Sequence, residues 1–178
     1  VENRTWKKSG LANNILSYFE KKQANAAEHL IALTNSMKAY AKTKYNCENP
    51  NFHVKPAAVN LALFDRSKYP SIKKELGIKP NTIVCIYAGK IGGIYLEDEI
   101  FKFWKHCSLI FEDFKVLFLS NYDTESFRQK LKFHDLDEST VIKKFVPYTE
   151  VPKYMAQADF ALNPVKPVPT KRHCTSIK

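Results

Sequence analysis

Leu11, Ile15, Tyr18 and Phe19 recur at helical spacing, so the chain is predicted to begin with an amphipathic helix. The apolar run HLIALT at 29–34 breaks that period and reads as a strand. Thr34, Asn35 and Ser36 then offer capping oxygens to a short helix whose inner side is Met37, Tyr40 and Ala41. NCENPN at 46–51 is a turn, and FHVKPAAVN at 52–60 is a further strand candidate that ends on small residues. Together these pieces describe the edge of an α/β layer rather than a self-sufficient core.

From residue 82 onward the alternation is regular. TIVCIYAG is a near-continuous apolar strand, and Ile100, Phe103, Trp104 and Cys107 then follow at helical spacing. KVLFLS at 115–120 is a second buried strand, Phe127 and Leu131 mark a helix, and VIKKFV at 141–146 is a third strand. Val151, Tyr154, Met155 and Ala158 form another helical stripe before the fourth strand, DFALNP at 159–164. Strands apolar on both faces and separated by amphipathic helices are what a parallel sheet covered on two sides requires. The expected fold is therefore α/β: a Rossmann-like parallel sheet with helices on both faces, joined by right-handed crossovers and preceded by part of a second Rossmann-like domain. The domain division expected from the pattern is 1–62 and 63–178.

Composition narrows the chemistry. With 178 residues, 44% of them hydrophobic and 26% charged, the chain is of ordinary globular character. It shows no run of eighteen apolar residues and no signal peptide, so a soluble, cytoplasmic protein is expected. Cys47, Cys85, Cys107 and Cys174 lack ligand spacing and read as reduced structural thiols; His173 and Cys174 alone cannot complete a tetrahedral site, and no metal is expected. A net charge of +10 favours an anionic partner. Most of the lysines lie on solvated helix faces, and no aromatic-basic interleaving points to nucleic acid. Positive charge would also assist peripheral association with the inner face of a membrane. The last thirteen residues concentrate Lys166, Lys171, Arg172 and Lys178 with no acidic counterpart.

Ligands of such sheets bind beyond the carboxyl ends of the strands, where helix N-termini present unpaired N–H groups. After the first strand of the regular region lies AGKIGGIY at 88–95. Gly89, Gly92 and Gly93 would let the backbone approach an anion, and Lys90 places a cation beside it. The spacing is not GxGxxG, so the usual dinucleotide fingerprint is absent, and a tight strand-to-helix turn is the alternative use of the glycines. Glu97, Asp98 and Glu99 open the next helix, where negative charge suits the macrodipole.

Five segments occur in the order LIALTNSMKAYAKTKY, HVKPAAVNLALFD, KKELGIKPNTIVCIYAGKIGG, KKFVPYTEVPKYMAQADFALNP and TSIK. In that order the chain resembles the retaining glycosyltransferases of the GT-B fold, family 4. Ala58 and Asn60 stand where that family often has Gly and Asp, and the family continues S-x-K-x-x-E beyond the point at which Ser176, Ile177 and Lys178 end this sequence. The resemblance makes residues 1–62 the last part of the acceptor-side domain and 63–178 a nucleotide-sugar-binding domain truncated at its C-terminus. The basic tail is then a cut beside the donor's phosphates, and the fragment alone is expected to be inactive.

Carried over residue by residue, the resemblance implies that Gly89, Lys90, Gly92 and Gly93 lie under the donor diphosphate, with Lys90 and Lys178 in catalytic roles. Many family members carry Arg at the position of Lys90 and a second lysine a few residues on, which this sequence lacks. Backbone groups of Val146 and Pro147 would face the nucleotide base; Tyr148 would line the pocket or pack on the sheet edge. Ser176 would approach the phosphates or sugar, and His173 stands where relatives place an acidic residue facing the donor sugar. The implied activity is metal-independent transfer, with retention, of a sugar from a nucleotide donor to a saccharide or lipid-linked acceptor in polysaccharide or glycoconjugate biosynthesis, without a cofactor. A nucleotide-sugar-binding module without transfer activity, or another GT-B enzyme such as an epimerase, is the alternative.

Overall fold

A computed structural model describes residues 10–168 and Lys171. The chain divides into two compact units, one built from residues 10–59 with 165–168 and the other from Asn60–Pro164.

In the first unit, α1 (Leu11–Ala26) and α2 (Asn35–Tyr45) accompany a parallel pair, β1 (Leu30–Ala32) and β2 (Phe52–Val54), in the register Leu30↔Phe52. The Thr34 hydroxyl accepts from the Met37 N–H at 3.1 Å and so caps α2, as the sequence predicts. Asn46 ends α2 in the left-handed region at φ 53°, a conformation that Asn tolerates. Ala41, Tyr45 and Cys47 form a small core with Ala24, Leu30, Tyr40 and Phe52. Burial and a hydrogen bond to the Glu20 carboxylate raise the Tyr45 phenol well above its ordinary range. The helical reading of α1 holds, but the face carrying Leu11, Ile15, Tyr18 and Phe19 is exposed.

In the second unit, β3 (Ile83–Ala88), β4 (Phe114–Leu119), β5 (Val141–Lys144) and β6 (Phe160–Ala161) form one all-parallel sheet in the order β5-β4-β3-β6. Period-two alternation sends Cys85, Tyr87, Val116 and Phe118 to one face, where they pack with Phe101, Trp104, Phe127 and Leu131. Those partners come from α3 (Glu97–Ile110) and α4 (Thr124–Phe133). Val84, Ile86, Leu117 and Leu119 point the other way, against Ile72, Ile78 and Tyr154; the last lies on α5 (Val151–Met155). Both faces are thus covered, which explains the unbroken apolar runs of β3 and β4. Within α3 the buried stripe is Ile100, Phe101, Trp104 and Cys107, while Phe103 is largely exposed. Burial among these groups pushes the Cys85 thiol up to about 12, beside the indole of fully buried Trp104.

Two polar devices fix the ends of this core. Gln157, 3% exposed, accepts from the Ile72 N–H at 2.9 Å and donates to the carbonyls of Pro70 (3.2 Å) and Lys153 (3.0 Å). It thereby ties α5 to the segment that leads into β3. The Asp159 carboxylate accepts from the Val84 N–H at 2.8 Å while its own N–H donates to the Val84 carbonyl, which sets the register of β6 against β3. Across the helical face, Asp98 pairs with Lys130 at 2.9 Å and with the His134 ring at 3.2 Å, and that ring stacks on Phe101 at 5.7 Å. Hydrogen bonds from Lys130 and then His134 hold the Asp98 carboxyl below the usual carboxylate range. Among the described residues no helix is long and apolar enough to cross a membrane.

Replacing Gln157 with Ala should leave one buried N–H and two carbonyls without their partner and cost ~1–3 kcal/mol, read as a lower urea midpoint at unchanged slope. Because the folded-state pKa of Asp98 is depressed, its contribution is present above the unfolded carboxyl range and disappears as pH falls through the folded value. The difference in Tm between wild type and Asp98→Asn should therefore be full near neutrality and vanish well below about pH 4.

Candidate functional site

Parallel pairing delivers the carboxyl ends of all four strands of this sheet to one edge. The chain steps outward from β3 through β4 to β5 and then returns to the far side of β3 to make β6. The loops after β3 and β6 therefore flank the point where the winding reverses, the place at which open α/β sheets take their ligands. A hydrogen bond from the Leu96 N–H to the Pro164 carbonyl, 3.0 Å, joins these two loops.

The loop after β3 is the glycine segment. Gly89, Gly92 and Gly93 all adopt positive φ, at 117°, 79° and 65°, so the backbone path there requires glycine. The Gly89 N–H donates to the Leu119 carbonyl at 2.9 Å, which anchors the start of the loop to the end of β4. The buried Tyr87 side chain donates its hydroxyl to the Lys90 carbonyl at 2.7 Å, and the Tyr95 N–H closes back on Gly92 at 3.2 Å. No main-chain carbonyl among the described residues accepts from the N–H groups of Gly92, Gly93 or Ile94. A Cβ on Gly93 would meet open space, whereas a Cβ on Gly92 would lie 3.0 Å from the Glu97 Oε2. Lys90 is exposed on this loop, and Ile91, next to it, is buried in the core.

Two loops from the other strands share this edge. After β4 come Ser120, Asn121 and Tyr122; the Ser120 N–H donates to the Lys144 carbonyl at 2.9 Å. After β5 come Phe145, Val146, Pro147 and Tyr148. Val146 packs on the core, Pro147 is exposed and precedes a 3-10 turn at Tyr148–Glu150, and Phe145 is 76% exposed. Tyr148 is 62% exposed and makes a tilted ring contact with Phe64 at 6.0 Å. It therefore has a packing partner and an open face together. Gly89, Lys90, Gly92, Gly93, Val146, Pro147 and Tyr148 are in this way brought to one edge of the sheet. His173, Ser176 and Lys178 lie outside the described residues.

The three carboxylates that open α3 do more than complement its dipole. Leu96, at the cap position, makes no side-chain cap, and Glu97 turns back toward the glycine loop. Its Oε1 accepts from the Tyr122 hydroxyl at 2.6 Å and lies 3.7 Å from the Lys130 ammonium. Burial, then the bond to Glu97, raises the Tyr122 phenol above its ordinary range. Sequence reasoning assigned Glu97 to helix capping and passed over Tyr122, Lys130, Ser120 and Asn121. Only position at the end of a strand marks the last two, and the Tyr122–Glu97 bond joins residues far apart in sequence. Among the described residues no group of three His, Cys, Asp or Glu side chains is placed to hold a metal ion.

No family model and no curated protein matches this sequence. Solved structures do match its fold. A glycosyltransferase from Rickettsia africae ESF-5 superposes with a TM-score of 0.61 at 14% identity, over 79% of this chain and 40% of that one. Anabaena Alr3699/HepE in complex with UDP-glucose superposes with a TM-score of 0.60 at 15% identity, over 82% of this chain and 40% of that one. The same protein in complex with UDP and glucose gives 0.57 at 15% identity. The chain thus has the Rossmann-like α/β architecture of these structures and spans about 40% of their length.

Proposed function

We propose that residues 63–164 belong to the donor domain of a glycosyltransferase that takes its sugar from a nucleoside diphosphate ester. The observation that carries this reading is the row of main-chain N–H donors at Gly92, Gly93 and Ile94, at the reversal point of the sheet with Lys90 on the same loop. Oriented amides next to a lysine suit a diphosphate, because they bind anionic oxygens without reorganising. Anabaena HepE, whose fold this chain shares, is seen with UDP-glucose and with UDP and glucose, which supports the same class of ligand here.

On this reading the diphosphate rests on the amides with Lys90 beside it, and the loop after β5 faces the base. Val146 and Pro147 offer backbone groups to the base, and the open face of Tyr148 lines that side. When the bond between the anomeric carbon and the β-phosphate oxygen breaks, its electron pair goes to that oxygen. The amides and Lys90 stabilise the charge as it forms, which requires neither a divalent ion nor a cofactor. An acceptor hydroxyl supplies the new bond to the anomeric carbon and gives up its proton to the departing β-phosphate, from which it passes to solvent. The transfer proceeds with retention, onto a saccharide or lipid-linked acceptor of polysaccharide or glycoconjugate synthesis. Lys178 and Ser176 are assigned to the phosphates or sugar and His173 to the sugar. Residues 1–62 are assigned to the acceptor-side domain, and the working place is the cytoplasm, where the basic surface would assist peripheral contact with a membrane.

Calorimetric titration of the chain with UDP, GDP and ADP, in the presence of a chelator, checks the donor site. One of the three should bind, and Lys90→Ala should weaken it roughly fivefold to tenfold with the fold intact by circular dichroism. Failure of all three to bind, or binding only after a divalent ion is restored, overturns the metal-free diphosphate site.

A further inference from the structure

The glycine loop proposed to carry the diphosphate is bordered by a fixed negative charge. The Glu97 Oε2 stands 3.0 Å from where a Cβ on Gly92 would be, at the loop whose N–H groups suit phosphate oxygens. The side chain is held in this pose by the Tyr122 hydroxyl at 2.6 Å. Lys130 lies 3.7 Å from Glu97 but 2.9 Å from Asp98, so that ammonium is shared by two carboxylates, and the His134 ring bonds Asp98. A loop meant only to retain a polyanion would not be expected to carry an anion at its rim, since like charges in a partly desolvated site repel.

We infer that Glu97 discriminates between the two forms of the ligand: it tolerates the nucleotide-sugar diester and disfavours the free nucleoside diphosphate left after transfer. The inference rests on the diphosphate reading of the loop. In the donor each phosphate is a diester-type group with a single negative charge. Cleavage of the sugar bond leaves the electron pair on the β-phosphate, which becomes a terminal phosphate close to dianionic at neutral pH, its second ionisation lying near pH 6 for phosphate monoesters. The carboxylate therefore opposes the product by one additional charge at the position nearest the reaction, and product release is accelerated relative to donor release. Glu97 is a specificity-determining residue in this scheme, with Tyr122 as its positioning residue.

The test compares, for whichever of UDP, GDP or ADP the wild type binds, the dissociation constant of the diphosphate with that of its glucose ester, in wild type and Glu97→Gln. Glutamine keeps an oxygen for the Tyr122 hydroxyl and removes the charge. The diphosphate should bind about fivefold tighter to the variant, while the glucose ester changes by less than about twofold. Lys130→Gln, which leaves Glu97 in place and removes its counter-charge, should move the same ratio the opposite way. It also keeps the question open should Glu97→Gln fail to fold. Equal changes for both ligands, or weaker binding of both, would mean that Glu97 serves only to shape the loop and would overturn the inference. If the wild type binds no nucleoside diphosphate at all, the donor-site reading itself fails and takes this one with it.

Discussion

Parallel pairing in a sheet buried on both faces is the constraint on which the second unit depends. The N–H and C=O groups of β3 and β4 must find partners within the protein, in neighbouring strands or, for the Val84 N–H, in the Asp159 carboxylate, because apolar side chains exclude water from either side. Parallel strands cannot be joined by tight hairpins, so every connection must cross over the sheet, as α3 and α4 do. The carboxyl ends then have nowhere to go but one shared edge. That edge collects the glycine loop, the Ser120–Tyr122 turn, the Phe145–Tyr148 segment and the Asn163–Pro164 exit without any one of them specifying the others.

The same constraint sets what each loop is able to do. A loop that must leave a buried strand and begin a helix within a few residues has little room, and the glycine loop resolves this with three positive-φ glycines and one buried anchor, Ile91. The hydroxyl of Tyr87, carried on the strand itself, holds the Lys90 carbonyl and so anchors the loop to β3. The N–H groups of Gly92, Gly93 and Ile94 have no main-chain carbonyl partner among the described residues. Glu97 completes this arrangement from the helix side, tied to Tyr122 across the α3 and β4 connections.

The first unit lives by different rules. Its two-stranded sheet has short strands, and α1 has no buried residue. Order there comes mostly from side chains that bond carbonyls, such as Asn25 to Tyr45, Asn49 to Ala27 and Asn51 to Glu28. Such bonds define turns well and add little apolar burial, and burial is the larger source of stability in a small unit. The pattern from residue 82 onward therefore holds more of the folding free energy than the pattern before it.

Hydrophobic periodicity alone determined the order and type of the elements, from the continuous apolar runs of β3 and β4 to the helical stripes of α3 and α4, because burial against a sheet leaves a local signature. The sequence also singles out Gly89, Gly92 and Gly93 together with Lys90, although a tight strand-to-helix turn makes the same demand for glycine. It could not show that Phe101 rather than Phe103 is buried in the core, a choice made by the residues that α3 packs against. Nor could it show that the exposed face of α1 lacks an inner partner among the described residues, or that Glu97 reaches back to Gly92 instead of simply capping a helix. Those outcomes depend on contacts between residues far apart in sequence, such as Tyr122 with Glu97 and Gln157 with Ile72, and only the packed chain brings such pairs within bonding distance.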